Sequence, residues 1–291
     1  MILEKIESAS VLMPWLFPAF FFALGACVGS FLNVCIYRLP AGLSVVRPRS
    51  RCACGREIAW YDNIPVFSWF ALRGRARCCG RRFSFRYPLV EFLTACAFWY
   101  SYARFPMPAA LAVMFFFSLM LVVSFVDMDT LELPDVLTVG GIVAGFMVSC
   151  AVPSLHVQTW PGNPFLYFSL QSLMLSVLGA VAGAGLLFIF KVLAESVLGR
   201  EAMGEGDIVL LACIGAFCGW QGAVFAIFGG SVIGAVVMLP ALLWMKLFRK
   251  ASDGEMIPYG PWLALGAVAY MFFLKPAVDG HFSAVIRVFF S

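Results

Sequence analysis

Long stretches without a charged side chain alternate with short polar segments along this chain, and that alternation predicts helices that cross a membrane. A helix spanning hydrocarbon needs about 20 mostly apolar residues. Roughly eight stretches approach or reach that length: 11 to 37, 87 to 103, 108 to 126, 136 to 153, 165 to 190, 208 to 221, 222 to 245 and 259 to 274. The sixth is short, and Gly219 to Gly222 is the only turn separating it from the seventh, so seven helices also fit the pattern. Small residues recur four apart, as Gly141 with Gly145, Gly179 with Gly183 and Gly230 with Gly234, a spacing that lets membrane helices approach closely. No internal repeat is visible, which argues against an inverted-repeat transporter.

Composition makes the bilayer the solvent. Of 291 residues, 62% are hydrophobic and 12% charged, with mean hydropathy +0.93; a soluble domain has about a quarter of its residues charged. The expected fold is an all-α polytopic membrane protein with a small cysteine-containing cytosolic loop. Short cytoplasmic loops carry the excess of Lys and Arg, and 11 of the 20 basic residues lie between Arg38 and Arg86. That loop is therefore read as cytosolic and the N-terminus as external. Counting crossings then puts 127 to 135, 191 to 207 and 246 to 258 inside, the last bearing Lys246, Arg249 and Lys250. No cleavable signal peptide is evident, because the first apolar stretch is too long and follows Glu4, Lys5 and Glu7.

The chain divides at about residue 105. Residues 1–105 hold the first two membrane helices and the basic loop, 38–86; residues 106–291 form a longer bundle. The net charge of +4 is mostly the loop, which suits contact with anionic lipid headgroups. Nothing else supports a nucleic-acid partner.

Elimination narrows the chemistry. The only histidines, His156 and His281, both fall on the external side, and no H-E-x-x-H exists. A zinc protease or a serine protease therefore lacks its ligands or its base. The absence of G-x-x-x-x-G-K-[ST] argues against an ATP-driven pump. Carboxylates at membrane edges remain, and these are functional candidates by default. Asp127, Asp129 and Asp135 follow the third apolar stretch, and Asp207 opens the sixth after Gly204-Glu205-Gly206. Asp127 and Asp207 both fall at the cytosolic face, one ending a helix that arrives there and one beginning a helix that leaves. Two close carboxylates share a proton, so the charged member can activate water while the neutral one protonates a carbonyl oxygen. A helix N-terminus favours negative charge, so Asp207 is expected to be the ionised base and Asp127 the proton carrier. Gly204 and Gly206, lacking Cβ, would let a substrate backbone lie alongside. Asp135 reads as an N-cap, Asp129 as a loop charge, and Glu91 as an ion-pair partner for Arg86 or Arg82. The main rival is a transporter or channel in which Asp127 and Asp207 line a polar path.

Six of the ten cysteines lie in or beside the apolar stretches and read as small buried hydrophobes. Cys52, Cys54, Cys78 and Cys79 lie in the loop, where a reducing cytosol disfavours disulfides. Two pairs about 25 residues apart suggest a four-thiolate zinc knuckle. The C-x-C and C-C spacing suits it less well than two C-x-x-C turns, so a metal-free loop stays open.

At this point the residues resemble the type IV prepilin peptidases, membrane aspartyl peptidases of the G-x-G-D kind. Motifs in family order cover nearly the whole chain: Gly29-Ser30-Phe31-Leu32-Asn33-Val34, Tyr37-Arg38-Leu39-Pro40, Asp62-Asn63-Ile64-Pro65, Leu72-Arg73-Gly74-Arg75, Arg86-Tyr87-Pro88-Leu89-Val90-Glu91, Asp127 through Leu133-Pro134-Asp135, Met203-Gly204-Glu205-Gly206-Asp207, and Ile257-Pro258-Tyr259-Gly260-Pro261. The resemblance implies that Asp127 and Asp207 are the catalytic pair in the bacterial inner membrane. It further implies cleavage of the basic leader of prepilins and type II secretion pseudopilins after a glycine, then N-methylation of the new terminus from S-adenosylmethionine. Glu195, Glu201 and Glu205, just ahead of Asp207, are candidates to receive the leader's basic residues. The chain departs from the family at the cysteine pairs, with Ala76 where a cysteine is expected, at Val209 where a lysine is common, and in a longer segment around 152 to 164.

Overall fold

The computed structural model describes residues 13–47, 50–52, 54–158, 164–199, 203–248 and 258–290. Among them all regular elements are helical, with two isolated bridges, Arg51 to Glu57 and Arg75 to Arg82. The α-helices are α1 (Leu16–Arg38), α2 (Phe67–Ala71), α3 (Arg86–Arg104), α4 (Met107–Thr130), α5 (Asp135–Ala151), α6 (Phe165–Leu198), α7 (Glu205–Phe248), α8 (Gly260–Ala269) and α9 (Lys275–Phe290); a π-helical turn, Tyr270–Leu274, joins the last two.

Among the described residues, five helical stretches are long and apolar enough to cross a membrane: α1, α4, α6, Glu205–Pro240 of α7, and Gly260–Phe282 across α8 and α9. The sequence pattern suggested roughly eight. The difference has three sources. Helix α5 has 17 residues, about 26 Å of rise. Helix α3 carries Arg86, Glu91 and Arg104. The sixth and seventh apolar stretches both fall within α7, on either side of Gly219, where the torsions leave the helix.

Helix α7 is not a straight rod. Gly219 has non-helical torsions, φ 72 and ψ 177, a left-handed φ open to glycine. A Cβ built on Gly183 of α6 would lie 2.8 Å from Leu211 O and 3.2 Å from Ala223 Cβ, groups about 18 Å apart along an unbroken helix. Gly179, one turn earlier in α6, lies against the break itself, at Gly215 and Gly219. The two halves of α7 therefore fold back along the same stretch of α6. At the break, the Ala216 carbonyl accepts from Ser176 Oγ at 2.6 Å, His156 Nε2 at 3.2 Å and Ser149 Oγ at 3.4 Å. Burial, and then the nearby Lys275, hold the His156 imidazole down at about 3, so the ring is neutral and its Nε2 carries the donated hydrogen.

The chain forms two compact units, Met1–Ser118 and Leu119–Ser291, divided within α4. In the first, α1 lies against α3 where Gly25 and Gly29 leave no room for a Cβ: it would sit 2.7 Å from Ala95 Cα and 2.6 Å from Glu91 Cα. In the second, Ala180, Ala212 and Ala216 form a core of small side chains. Each predicted small-residue pair is a contact point, with Gly141 on Cys213, Gly145 on Ala216, and Gly230 and Gly234 on Trp262. Lipid tails are as apolar as leucine, so this close packing holds the helices together where water exclusion cannot.

Candidate active site

Helix α4 stops just beyond Asp127. Leu131 turns left-handed at φ 56, its N–H still donates to Asp127 O at 2.9 Å, and Thr130 Oγ1 donates to Val126 O or Glu132 O at 2.9 Å. This turn delivers Leu133 to Gly206, where a built Cβ would lie 3.4 Å from Leu133 Cβ. The segment after α4 and the glycine-rich start of α7 are thus in contact, with Asp207 in the first turn of α7.

The start of α8 completes the arrangement. The Gly260 N–H donates to Asp127 Oδ2 at 3.0 Å. A Cβ on Gly260 would lie 2.7 Å from that oxygen and 3.4 Å from Leu210 Cδ2. Leu210 is one turn beyond Asp207 and on the same helix face, so three distant segments bring the two aspartates together. Both are buried, at 5% and 9% exposure, and the charge on Asp127 acts on Asp207. Asp207 has no hydrogen bond among the described residues, whereas Asp127 has the Gly260 amide. Tyr259 lies beside them, its hydroxyl 2.9 Å from Ser231 Oγ and within the field of Asp207.

The remaining sequence candidates separate. Asp129 and Asp135 are exposed; the cap position of α5 is Pro134, and Asp135, expected there, is the first helical residue without a side-chain capping bond. Gly204 is open, with Asp207 Oδ2 its nearest neighbour at 3.9 Å from a built Cβ. Lys191 Nζ lies 3.9 Å from Glu195 Oε1 and 3.8 Å from Glu205 Oε1, so both acids already have a cation nearby. Glu201, Arg249 and Lys250 lie outside the described residues. Glu91 is buried and accepts the Val66 N–H at 2.6 Å and a bond from Ser30, in place of the expected arginine. Val66 itself sits at φ 63, a strained torsion for a β-branched residue.

The four loop cysteines converge. Cys52 Sγ is 3.5 Å from Cys79 Sγ, Cys54 Sγ is 3.4 Å from Cys78 Sγ, and all four sulfurs lie within 4.8 Å of one another. A tetrahedral zinc site with bonds of about 2.3 Å has sulfur–sulfur edges of about 3.8 Å, so the set fits that ion. The Cys54 N–H, then the Cys78 and Cys79 thiols, bring Cys52 down to about 7; Cys78, donating toward Cys52 and Cys54, is pushed up to about 12. Of the six other cysteines, Cys35, Cys213 and Cys218 are buried as expected, while Cys27 is exposed.

Two features escaped the sequence reading. Asp62 clamps Arg77 through Nε at 3.1 Å and Nη2 at 2.9 Å, closing the loop next to Cys78 and holding the guanidinium more firmly protonated. The other is the Gly260 amide. Pro261 just inside a helix start marks the site, since it leaves Gly260 the nearest unspent donor.

The family profile described as the Bacterial Peptidase A24 N-terminal domain matches residues 23–105, and that of the Type IV leader peptidase family matches residues 114–239. The prepilin leader peptidase/N-methyltransferase of Pectobacterium carotovorum is 36% identical over 280 residues, covering 87% of this chain and 93% of that protein. The protein of the same name from Pseudomonas putida is 34% identical over 278 residues, covering 85% and 89%. That of Myxococcus xanthus is 40% identical over 234 residues, covering 78% of this chain and 64% of the longer relative. No solved structure matches the chain. With both profiles in sequence order and these relatives aligned along most of its length, the chain belongs to the type IV leader peptidase family.

Proposed function

We propose that this chain is a membrane aspartyl endopeptidase that removes the basic leader of prepilins and type II secretion pseudopilins after a glycine, with Asp127 and Asp207 as its catalytic pair. The observation that carries the reading is that these two carboxyls, buried on separate helices, lie close enough for the charge of one to act on the other, with one of them hydrogen-bonded by Gly260. In such a pair the ionised carboxylate takes a proton from water, and the neutral one protonates the scissile carbonyl; roles then exchange as the amine leaves. A channel or transporter would place its carboxylates along a path, whereas these sit within a turn or so of helix ends and the relatives carry peptidase names.

The same reading takes all eight apolar stretches as crossings of the bacterial inner membrane, with the N-terminus external and the aspartates at the cytosolic face. The reversal at Gly219 favours it, since it makes α7 two passes. Gly204, Gly206, Glu201 and Glu205 are proposed to contact the substrate beside the pair.

Methylation of the new N-terminus is assigned to the N-terminal unit, 1–105, on the relatives' names and the resemblance of its loop. S-adenosylmethionine would supply the methyl group. Cys52, Cys54, Cys78 and Cys79 would hold a structural zinc that fixes the loop.

The test is incubation of the purified protein with a prepilin, comparing wild type with Asp127→Asn and Asp207→Asn. Product mass reports cleavage and an added methyl group together. Loss of cleavage in both variants, with methylation of a pre-cut substrate kept, is the expected result; cleavage by either variant at the wild-type rate overturns the assignment.

A further inference from the structure

Resting on that peptidase reading, we infer that Gly260 is a positioning residue whose backbone N–H keeps Asp127 as the ionised member of the pair, leaving Asp207 to carry the proton. This reverses the assignment expected from the helix dipole of α7 alone.

The first turn of α8 has few amides to give. Pro261 has no N–H, and the Trp262 and Leu263 amides both donate to Tyr259 O, at 3.1 and 3.3 Å. The Gly260 amide alone is spent on a side chain, and that side chain is Asp127. Asp127 therefore sits at the positive end of a second helix, which offsets its place near the C-terminal end of α4. A hydrogen bond to a carboxylate favours the charged form. Asp207 has only the field of its own helix start, and no hydrogen bond among the described residues.

The position demands glycine for a steric reason. A Cβ at 260 would lie 2.7 Å from Asp127 Oδ2 and 3.1 Å from its Cγ, so any side chain pushes the carboxyl off the amide. The bond also fixes which oxygen is engaged: Oδ2 faces Gly260, leaving Oδ1 for water. The other ionisable groups described at this end of the unit are Asp129 and Glu132 after α4, Asp135 at the start of α5, Lys191 with Glu195 and Glu205, and Tyr259.

The test is the pH profile of kcat/KM for prepilin cleavage by the full-length enzyme, comparing wild type with Gly260→Ala. Gly260→Ala should move the acid limb up by about one pH unit and lower the plateau about tenfold, with the alkaline limb unmoved. Gly266→Ala serves as the packing control, since its Cβ would lie 2.8 Å from Ala226 O, away from the aspartates; it should leave both limbs in place. An unmoved acid limb in Gly260→Ala overturns the inference. Should that variant not fold, infrared spectra of protein labelled with carboxyl-13C aspartate decide. The carboxyl left in Asp207→Asn, held by the Gly260 amide, should titrate at lower pH than the one left in Asp127→Asn, and an equal or reversed order overturns the inference. Failure of the peptidase reading looks different, because wild type would then not cleave prepilin, or one of the asparagine variants would cleave it at the wild-type rate.

Discussion

Gly179 of α6 and Gly215 of α7 meet backbone to backbone: a Cβ on either would fall against the other's peptide group. No side chain fits between them, so Gly179→Ala should destabilise the bundle by about 1–3 kcal/mol, the usual range for overpacking a tight contact. Gly185, six residues on, faces open space, and Gly185→Ala should be neutral or slightly stabilising in a helix interior. Thermal unfolding in detergent, read for both variants against wild type, checks the contrast.

His156 gives the protein an acid sensitivity unrelated to catalysis. Its imidazole lies at about 3 in the folded state against an ordinary 6.5, so below pH 6.5 the unfolded chain binds a proton that the folded one refuses. Stability contributed by the buried neutral ring is complete above pH 6.5 and is lost progressively as pH falls toward 3. His156→Gln can keep a donor to Ala216 O and does not titrate, so its melting temperature should fall less steeply across that window. Equal slopes in the two proteins would refute the account.

Purified from a zinc-containing medium, the protein should carry about one zinc per chain. Cys79→Ser should lose most of it, and chelation should speed proteolysis within 38–86 while leaving leader cleavage intact. Metal analysis paired with limited digestion tests this; full zinc in Cys79→Ser would show the thiols are not the ligands.

At Gly204 a methyl group meets nothing closer than Asp207 Oδ2 at 3.9 Å, so Gly204→Ala should fold as well as wild type. A substrate strand beside Asp207 would meet the methyl, and kcat/KM should fall about tenfold, a loss on the order of 1.4 kcal/mol. Unchanged kinetics would remove this glycine from the substrate path.

Glu205 is 90% exposed on its side chain and only 3.8 Å from Lys191, an ion pair of little energetic consequence at a surface. If it receives a leader cation, Glu205→Lys should raise KM for a basic-leader substrate and not for one whose leader is neutral. A KM that ignores leader charge would exclude it.

What the sequence made legible was whatever depended on residue type and spacing. Glycines four apart at 141 and 145, or 179 and 183, are visible because close packing has a fixed helical period. Asp127 and Asp207 stood out because so few ionisable groups border the apolar stretches. The bond from Gly260 was not legible, since a backbone amide leaves no trace in residue identity and its partner lies 133 positions away. Glu91 misled for a similar reason: charge suggested an arginine, yet its partner is the amide of Val66. Helix number stayed soft because one residue, Gly219, carries a reversal that hydropathy cannot resolve.

The thiol cluster bears on what its loop has to hold constant. The bridges Arg51–Glu57 and Arg75–Arg82 pinch each cysteine pair into a hairpin tip, so what must be preserved is the meeting of two knuckles and not a fixed count of residues within either. Cys78 therefore reaches the cluster although it is adjacent to Cys79 in sequence, because the tip that carries it faces Cys54.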